Sequence, residues 1–156
     1  MIEPKIIALK EKKLVGMKSQ MLRHEYGNII MLWKQFMPQK HLIQNTVNTE
    51  LIALQEYSNF NNPNEAFDIW ACAEVIDTIN IPETMEAKTI DGGLYAVFLH
   101  KGMNAAATYQ RIMTEWLPNT DNVIDDRPHF QVMGDNYKNG SEESEEDFYV
   151  PIKLKN

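Results

Sequence analysis

Leu94-Tyr95-Ala96-Val97 and, further along, Trp116-Leu117-Pro118 decide the fold, because each has a counterpart eighty residues earlier. Leu14-Val15-Gly16-Met17 lies over the first and Phe36-Met37-Pro38 over the second. In the same register Ile29 meets Tyr109, Leu32 meets Ile112, Trp33 meets Met113 and Tyr57 meets Tyr137. Self-similarity at one fixed offset is the mark of a duplicated unit. The 156 residues are therefore read as one domain, 1–156, made of two repeats, 1–78 and 82–156.

Each repeat shows the same order of elements. Extended, β-prone segments cover about 5–22 and 84–101, each able to bend or pair on itself near Lys12-Lys13 or Asp91-Gly92-Gly93. A helix follows in each. Ile29, Ile30, Leu32, Trp33, Phe36 and Met37 recur at helical spacing in the first repeat, with Asn28 as the expected N-cap. Ala105, Tyr109, Ile112, Met113 and Trp116 do so in the second, with Asn104 as the cap. Pro38 and Pro118 end or bend these helices, since proline lacks the N–H and crowds the preceding turn. Strands are then expected at about 50–57 and 66–76, and at 128–133 and 146–153, with 58–64, 118–127 and 134–144 as loops. Strand–helix–strand–strand, twice over, is an α+β fold: a largely antiparallel sheet, a pseudo-twofold axis and a central cleft.

Alternation along a strand sorts side chains onto two faces. Phe148, Val150 and Ile152 share one face of the last strand, facing the helix, while Glu145, Asp147, Tyr149 and Pro151 share the other. Phe67, Ile69, Ala71, Ala73 and Val75 oppose Trp70, Cys72 and Glu74. In 128–133, Phe130 and Val132 are assigned inward, leaving His129, Gln131 and Met133 opposite. Three strands thus each carry a face of aromatic, sulfur-bearing and carboxylate or amide groups, and the pseudo-twofold places these faces around one groove. Such a lining suits a flat apolar molecule, cationic ones included, because aromatic faces attract cations by about 0.5–2 kcal/mol per contact and Met adapts to varied shapes. Alternation alone equally fits a second reading, the amphipathic outer face of a sheet.

Composition narrows the partners. The 22 acidic residues exceed the 15 basic ones, for a net charge of −7, and clustered Lys and Arg are absent outside Lys10, Lys12 and Lys13. This disfavours nucleic acid, whose binding rests on neutralising phosphates. No run approaches the roughly 20 apolar residues of a membrane helix, and the N-terminus lacks a signal-peptide pattern. With its one cysteine, Cys72, the chain is expected in the cytoplasm. His24, His41, His100 and His129 show no zinc-ligand spacing, and no cofactor or metal is expected.

The stretch Leu94 to Gly102, the helix end Glu115-Trp116-Leu117-Pro118, and the final Glu145-Glu146-Asp147-Phe148-Tyr149-Val150-Pro151-Ile152-Lys153 resemble the GyrI-like effector-binding family, also described as the bacterial transcription activator, effector-binding domain. The resemblance covers nearly the whole chain. It implies the same duplicated fold and the binding of lipophilic, often cationic compounds through a buried Glu and aromatic residues. In regulators such a domain follows a DNA-binding domain; the resemblance here implies a free-standing sensor or sequestering protein, monomeric or weakly dimeric. It departs at Phe130-Gln131-Val132-Met133, where members often carry Phe-Glu-x-Tyr. Glu145 then matches the glutamate near the start of the last strand, with Glu74 second. The expected ligand contacts are Glu145, Tyr149, Gln131, Met133, Trp70, Phe98, Tyr95 and Glu74, with no catalytic residue.

Two rivals share this cleft. Some members are hydrolases of strained rings, which would use Glu145 with Tyr149 or Tyr95 as acid and base. Gln131 removes a carboxylate that such chemistry needs, which ranks catalysis below binding. Other members act on a protein partner, which makes a protein-interaction modulator the third reading.

Overall fold

A computed structural model describes residues 2–156. In chain order the elements are β1 (Lys5–Leu9), β2 (Lys12–Met21), α1 (Tyr26–Phe36), β3 (Leu51–Glu56), β4 (Phe67–Val75), β5 (Glu86–Ile90), β6 (Gly93–Lys101), α2 (Ala105–Arg111), β7 (Asn122–Ile124), β8 (His129–Met133) and β9 (Glu145–Leu154). All pairings are antiparallel, in the order β1-β6-β9-β8-β3-β4-β2-β5, with β7 pairing β9 off this path. The fold is α+β, as expected.

Exchanging each element for its repeat turns this strand order into its own reverse. The axis is visible in the register. At the centre Ile52 pairs with Val132, two residues eighty apart, so the pair maps onto itself. Its neighbours Leu51↔Met133 and Ala53↔Gln131 map onto each other.

The first strand of each repeat corrects one expectation. Neither extended segment pairs on itself. β1 pairs with β6 of the other repeat, and β5 pairs with β2. The chain does bend at Lys10-Glu11 and at Asp91-Gly92, but each outer strand crosses to the partner repeat. The exchange leaves Gly16 of β2 against Cys72 of β4 and Glu86 of β5, where a Cβ would fall inside contact distance of the Ala71 carbonyl.

Asn28 does not cap α1. The helix begins at Tyr26 after Glu25, whose carboxylate accepts the Leu22 N–H at 2.8 Å and closes the turn before the helix. Asn28 lies inside the first turn and donates to the Gln20 carbonyl at 3.0 Å. Asn104 does cap α2, accepting from the Ala107 N–H at 3.1 Å. Past α1 a 3₁₀ turn, Met37–Leu42, takes in Pro38; past α2 a widened π turn, Ile112–Trp116, precedes Pro118. The expected loop 118–127 contains β7, held by its ladder to Ile152–Leu154.

The sheet carries core on both faces. On the helix side, Leu32 and Phe36 of α1 pack on Phe67, Ile69, Ala71 and Val75, while Ile112 beyond α2 packs on Phe98, Phe148, Val150 and Ile152. On the far side, Leu14, Ile52, Leu54, Trp70, Cys72, Ile90, Tyr95 and Phe130 form one cluster that Ile7, Leu9, Val132 and Tyr149 join. Ile7 and Ile90 come from strands at opposite ends of the sheet, so the sheet curls around this second core. The face assignment of β8 is thereby corrected. Phe130 and Val132 belong with Trp70 and Tyr149 on the far side, and His129 and Gln131 face the helices. Both faces of these strands are buried, so a five-residue alternation does not say which apolar set lies under the helices.

Candidate functional site between the two helices

The pseudo-twofold sets α1 and α2 side by side over the same face of the sheet. Between them is a cavity of about 550 Å³, within the usual range of small-molecule sites. Ala53, Gln55, Ile69, Gln131 and Phe148 of the central strands make its floor. Tyr26, Ile29, Leu32 and Trp33 of α1 form one wall; Ala105, Ala106, Tyr109 and Met113 form the other. Ile29 of the predicted stripe of α1 is thus not core: it stands in the cavity wall, 37% exposed, and Ile30, outside the lining, is exposed as well. Helix faces that leave apolar residues half-open over a cavity are suited to cover a ligand.

One end of the cavity is an aromatic cluster. Tyr57 lies 4.5 Å from Phe67 and edge-on to Phe60, and Phe60 stacks on His129 at 4.8 Å between centroids. The Tyr109 hydroxyl and His129 Nδ1 are 2.5 Å apart. Burial, reinforced by the Arg23 charge, drives the His129 pKa down to about 3, so the ring is neutral. Burial holds the Tyr109 hydroxyl well above its ordinary pKa and lifts Tyr57 to about 12, so both keep their protons. Arg23, just beyond β2, lays its guanidinium 5.1 Å from the rings of both Tyr57 and Phe60.

Polar groups are few elsewhere. Gln55 and Gln131 bond to each other on the floor, each amide nitrogen donating to the other's oxygen at 2.8 Å. Glu146 enters from the start of β9. Burial, then the neighbouring charge of Asp147, raises its pKa to about 7, so at neutral pH it is divided between acid and carboxylate. Among the described residues no cluster of His, Cys, Asp or Glu could hold a metal ion, and no helix is long and apolar enough to cross a membrane.

Of the eight expected contacts, Gln131 and Trp70 line this cavity. Trp70 presents its ring to the far-side core, with Lys18 5.8 Å above it. Tyr95 and Tyr149 lie on the far side. Tyr95 donates to the Pro128 carbonyl at 2.8 Å, and Tyr149 stacks on Phe130 at 4.4 Å. Glu74 pairs with Lys12 there at 2.9 Å. Phe98 is buried beneath Trp116. Met133 and Glu145, at the ends of β8 and β9, stand outside the lining. The cavity's carboxyl is Glu146, one residue on. A signal for it was present: Glu146 has the parity of Phe148, the face already assigned to the helix. Tyr57 closes the expected strand 50–57 with the parity of Ala53 and Gln55, but Arg23 and Phe60 carried no comparable signal, because they lie beyond strand ends where periodicity stops.

A duplicated sheet with a cavity beneath two symmetry-related helices is the architecture of the GyrI-like effector-binding domains. The family model described as integron-associated effector binding protein matches residues 5–152, and the chain belongs to that family. Among solved structures it is similar to an integron cassette protein from the mobile metagenome of Vibrio cholerae, at 12% identity over 97% of this chain and 96% of that one, with a TM-score of 0.68. It is similar to SAV2435, solved bound to tetraphenylphosphonium, at 17% identity over 97% and 94%, with a TM-score of 0.69. The EcmrR C-terminal domain matches at 14% identity over 99% of both chains, with a TM-score of 0.73. No curated protein matches in sequence.

Proposed function

We propose that this protein binds a lipophilic, ring-bearing small molecule in the cavity between α1 and α2, and acts as a sensor or a sequestering protein for it. One observation carries the reading: an aromatic-walled cavity of about 550 Å³ whose floor holds only paired amides and whose charged groups stand at its margins. Such a site gains affinity from apolar burial, about 25 cal/mol per Å², and orientation from a few polar groups. The family's description as effector-binding, and the tetraphenylphosphonium in SAV2435, support it. A cationic ligand is the second reading, favoured by Glu146, the one carboxylate that enters the cavity lining.

Trp33 stands in the wall and reports occupancy. Titration with a panel of lipophilic cations and neutral analogues should quench its fluorescence saturably, and Trp33→Phe should reduce that change to what Trp70, the other tryptophan of the lining, contributes. Absence of quenching by every compound, up to its solubility, rejects the proposal. Tighter binding of cations than of neutral analogues, lost in Glu146→Gln, supports the second reading.

A further inference from the structure

We infer that the Tyr57–Phe60 end of the cavity is an anion subsite, in which Arg23 receives the carboxylate of a lipophilic, ring-bearing ligand. The inference rests on the proposed binding of a lipophile and specifies a charged group of that ligand.

Arg23 has no acidic partner. The ion pairs among the described residues use Lys12, Lys88, Lys101, Arg111, Arg127 and Lys153, and none includes Arg23. One Nη2 hydrogen bond goes to the Phe60 carbonyl. The Nε–H is closed off by protein without a partner, and Nη1 makes no protein hydrogen bond among the described residues, so the Nη groups are what a ligand can reach. A half-buried permanent charge lining an apolar cavity is costly unless something pairs with it. The rings of Tyr57 and Phe60, each 5.1 Å from the guanidinium, offset part of that cost. The planar guanidinium fork is the geometry that takes a carboxylate through two hydrogen bonds.

The surroundings agree in sign. His129 is neutral here, and the Tyr57 hydroxyl keeps its proton with no protein partner among the described residues. Tyr57 also lines the cavity, so its hydroxyl adds a further donor to this lining. The carboxyl that would repel an anion is remote. Asp147 pairs with Val132, which puts Glu146 beside Met133, whereas Phe60 stacks on His129 at the other end of β8. Four residues of strand separate the two levels, about 13 Å. The cavity therefore has a positive pole at Arg23 and a carboxyl at the opposite end, with the apolar floor between them.

The alternative role for Arg23 is to pin the segment around Phe60 by its carbonyl bond. Three pyrene probes separate the two roles: 1-pyrenecarboxylate, 1-pyrenecarboxamide and 1-pyrenemethylammonium, each titrated by fluorescence into wild type, Arg23→Gln and Arg23→Lys. The wild type should hold the carboxylate about tenfold or more tighter than the carboxamide, as a charge-assisted pair implies. Arg23→Gln should erase that preference and leave carboxamide affinity within about threefold. Arg23→Lys, which keeps the charge and loses the fork, should retain part of it. Equal weakening of all three probes in either variant overturns the subsite and makes Arg23 a pin. So does a wild type that binds the carboxamide or the ammonium as well as the carboxylate. Failure of all three probes to bind wild type rejects the lipophile reading itself. If Arg23→Gln does not fold, the Arg23→Lys comparison alone decides in the same terms.

Discussion

Gln55 and Gln131 are diagonal neighbours across β3 and β8 and satisfy each other in a closed pair of 2.8 Å hydrogen bonds on the cavity floor. Each amide keeps one N–H and one lone pair for a ligand, but neither brings a charge. Gln131→Glu should change both properties. The Gln55 oxygen loses its donor once the carboxylate ionises, which should cost about 1–2 kcal/mol of stability, measured by urea denaturation. Binding of 1-pyrenemethylammonium should tighten by about tenfold in the same variant. Unchanged ammonium affinity would show that the floor does not contact the ligand.

Glu146 and His129 should pull stability in opposite directions as pH rises through the slightly acidic range: His129, lowered from 6.5 to about 3 by burial, contributes a gain, and Glu146 a loss. Glu146 has an ordinary pKa of 4.5 and one of about 7 in the folded protein, raised first by burial and then by Asp147. Between those values this carboxyl holds more proton in the folded chain than in the unfolded one, so its contribution to unfolding free energy decreases with pH and levels off above about 7. The carboxyl is partly solvated, which reduces the effect to about 1–2 kcal/mol. Asp147, also raised by burial, adds to the same slope. Glu146→Gln should remove the downward contribution, so that the variant gains stability relative to wild type between pH 5 and pH 8 and is the more stable at pH 8. Urea midpoints at pH 5 and pH 8 check this; parallel changes in both proteins would reject it.

Gly16→Ala should destabilise by about 3 kcal/mol, near the upper end of overpacking costs. Its Cβ would meet the Ala71 carbonyl oxygen and the Cys72 Cβ and Cα, and backbone cannot rotate away. The equivalent position in the second repeat is Ala96, which is fully buried, so the repeats differ in how closely their strands approach there. A thermal midpoint within a degree or two of wild type would contradict the close contact.

Tyr109→Phe removes the hydroxyl that meets Nδ1 of the buried, neutral His129. The stranded imidazole nitrogen should cost about 1–3 kcal/mol. Phe fills nearly the same volume, so ligand affinity should change less than stability does. Calorimetric unfolding together with a probe titration checks both. A stability equal to wild type would mean that the pair is not formed.

Much of the fold was legible because the duplication writes itself into the chain at a constant offset. The antiparallel β3–β8 pairing then centres on that offset, with Ile52 opposite Val132, eighty residues apart. The crossing of β1 and β5 to the other repeat was not legible. The segments and their bends are local, whereas the partner a strand chooses depends on long-range packing. The site was legible as a set of chemistries more than as a set of positions. Glu145 and Glu146 illustrate this: they are chain neighbours on opposite faces, and a one-residue difference decides which carboxyl enters the cavity. Tyr149 and Tyr95 have the right chemistry for a ligand but serve the far-side core.

By itself the sequence determined the repeated order of elements, the two helix stripes and the absence of clustered basic charge. These depend on periodicity and composition, which are local or additive. Only the tertiary structure decided which face of the sheet is the cavity and which is a second core, because a sheet buried on both sides presents apolar residues to each. It alone brought Arg23, Tyr57 and Phe60 together, since Arg23 and Phe60 lie beyond strand ends, follow no period and meet Tyr57 only when the chain closes.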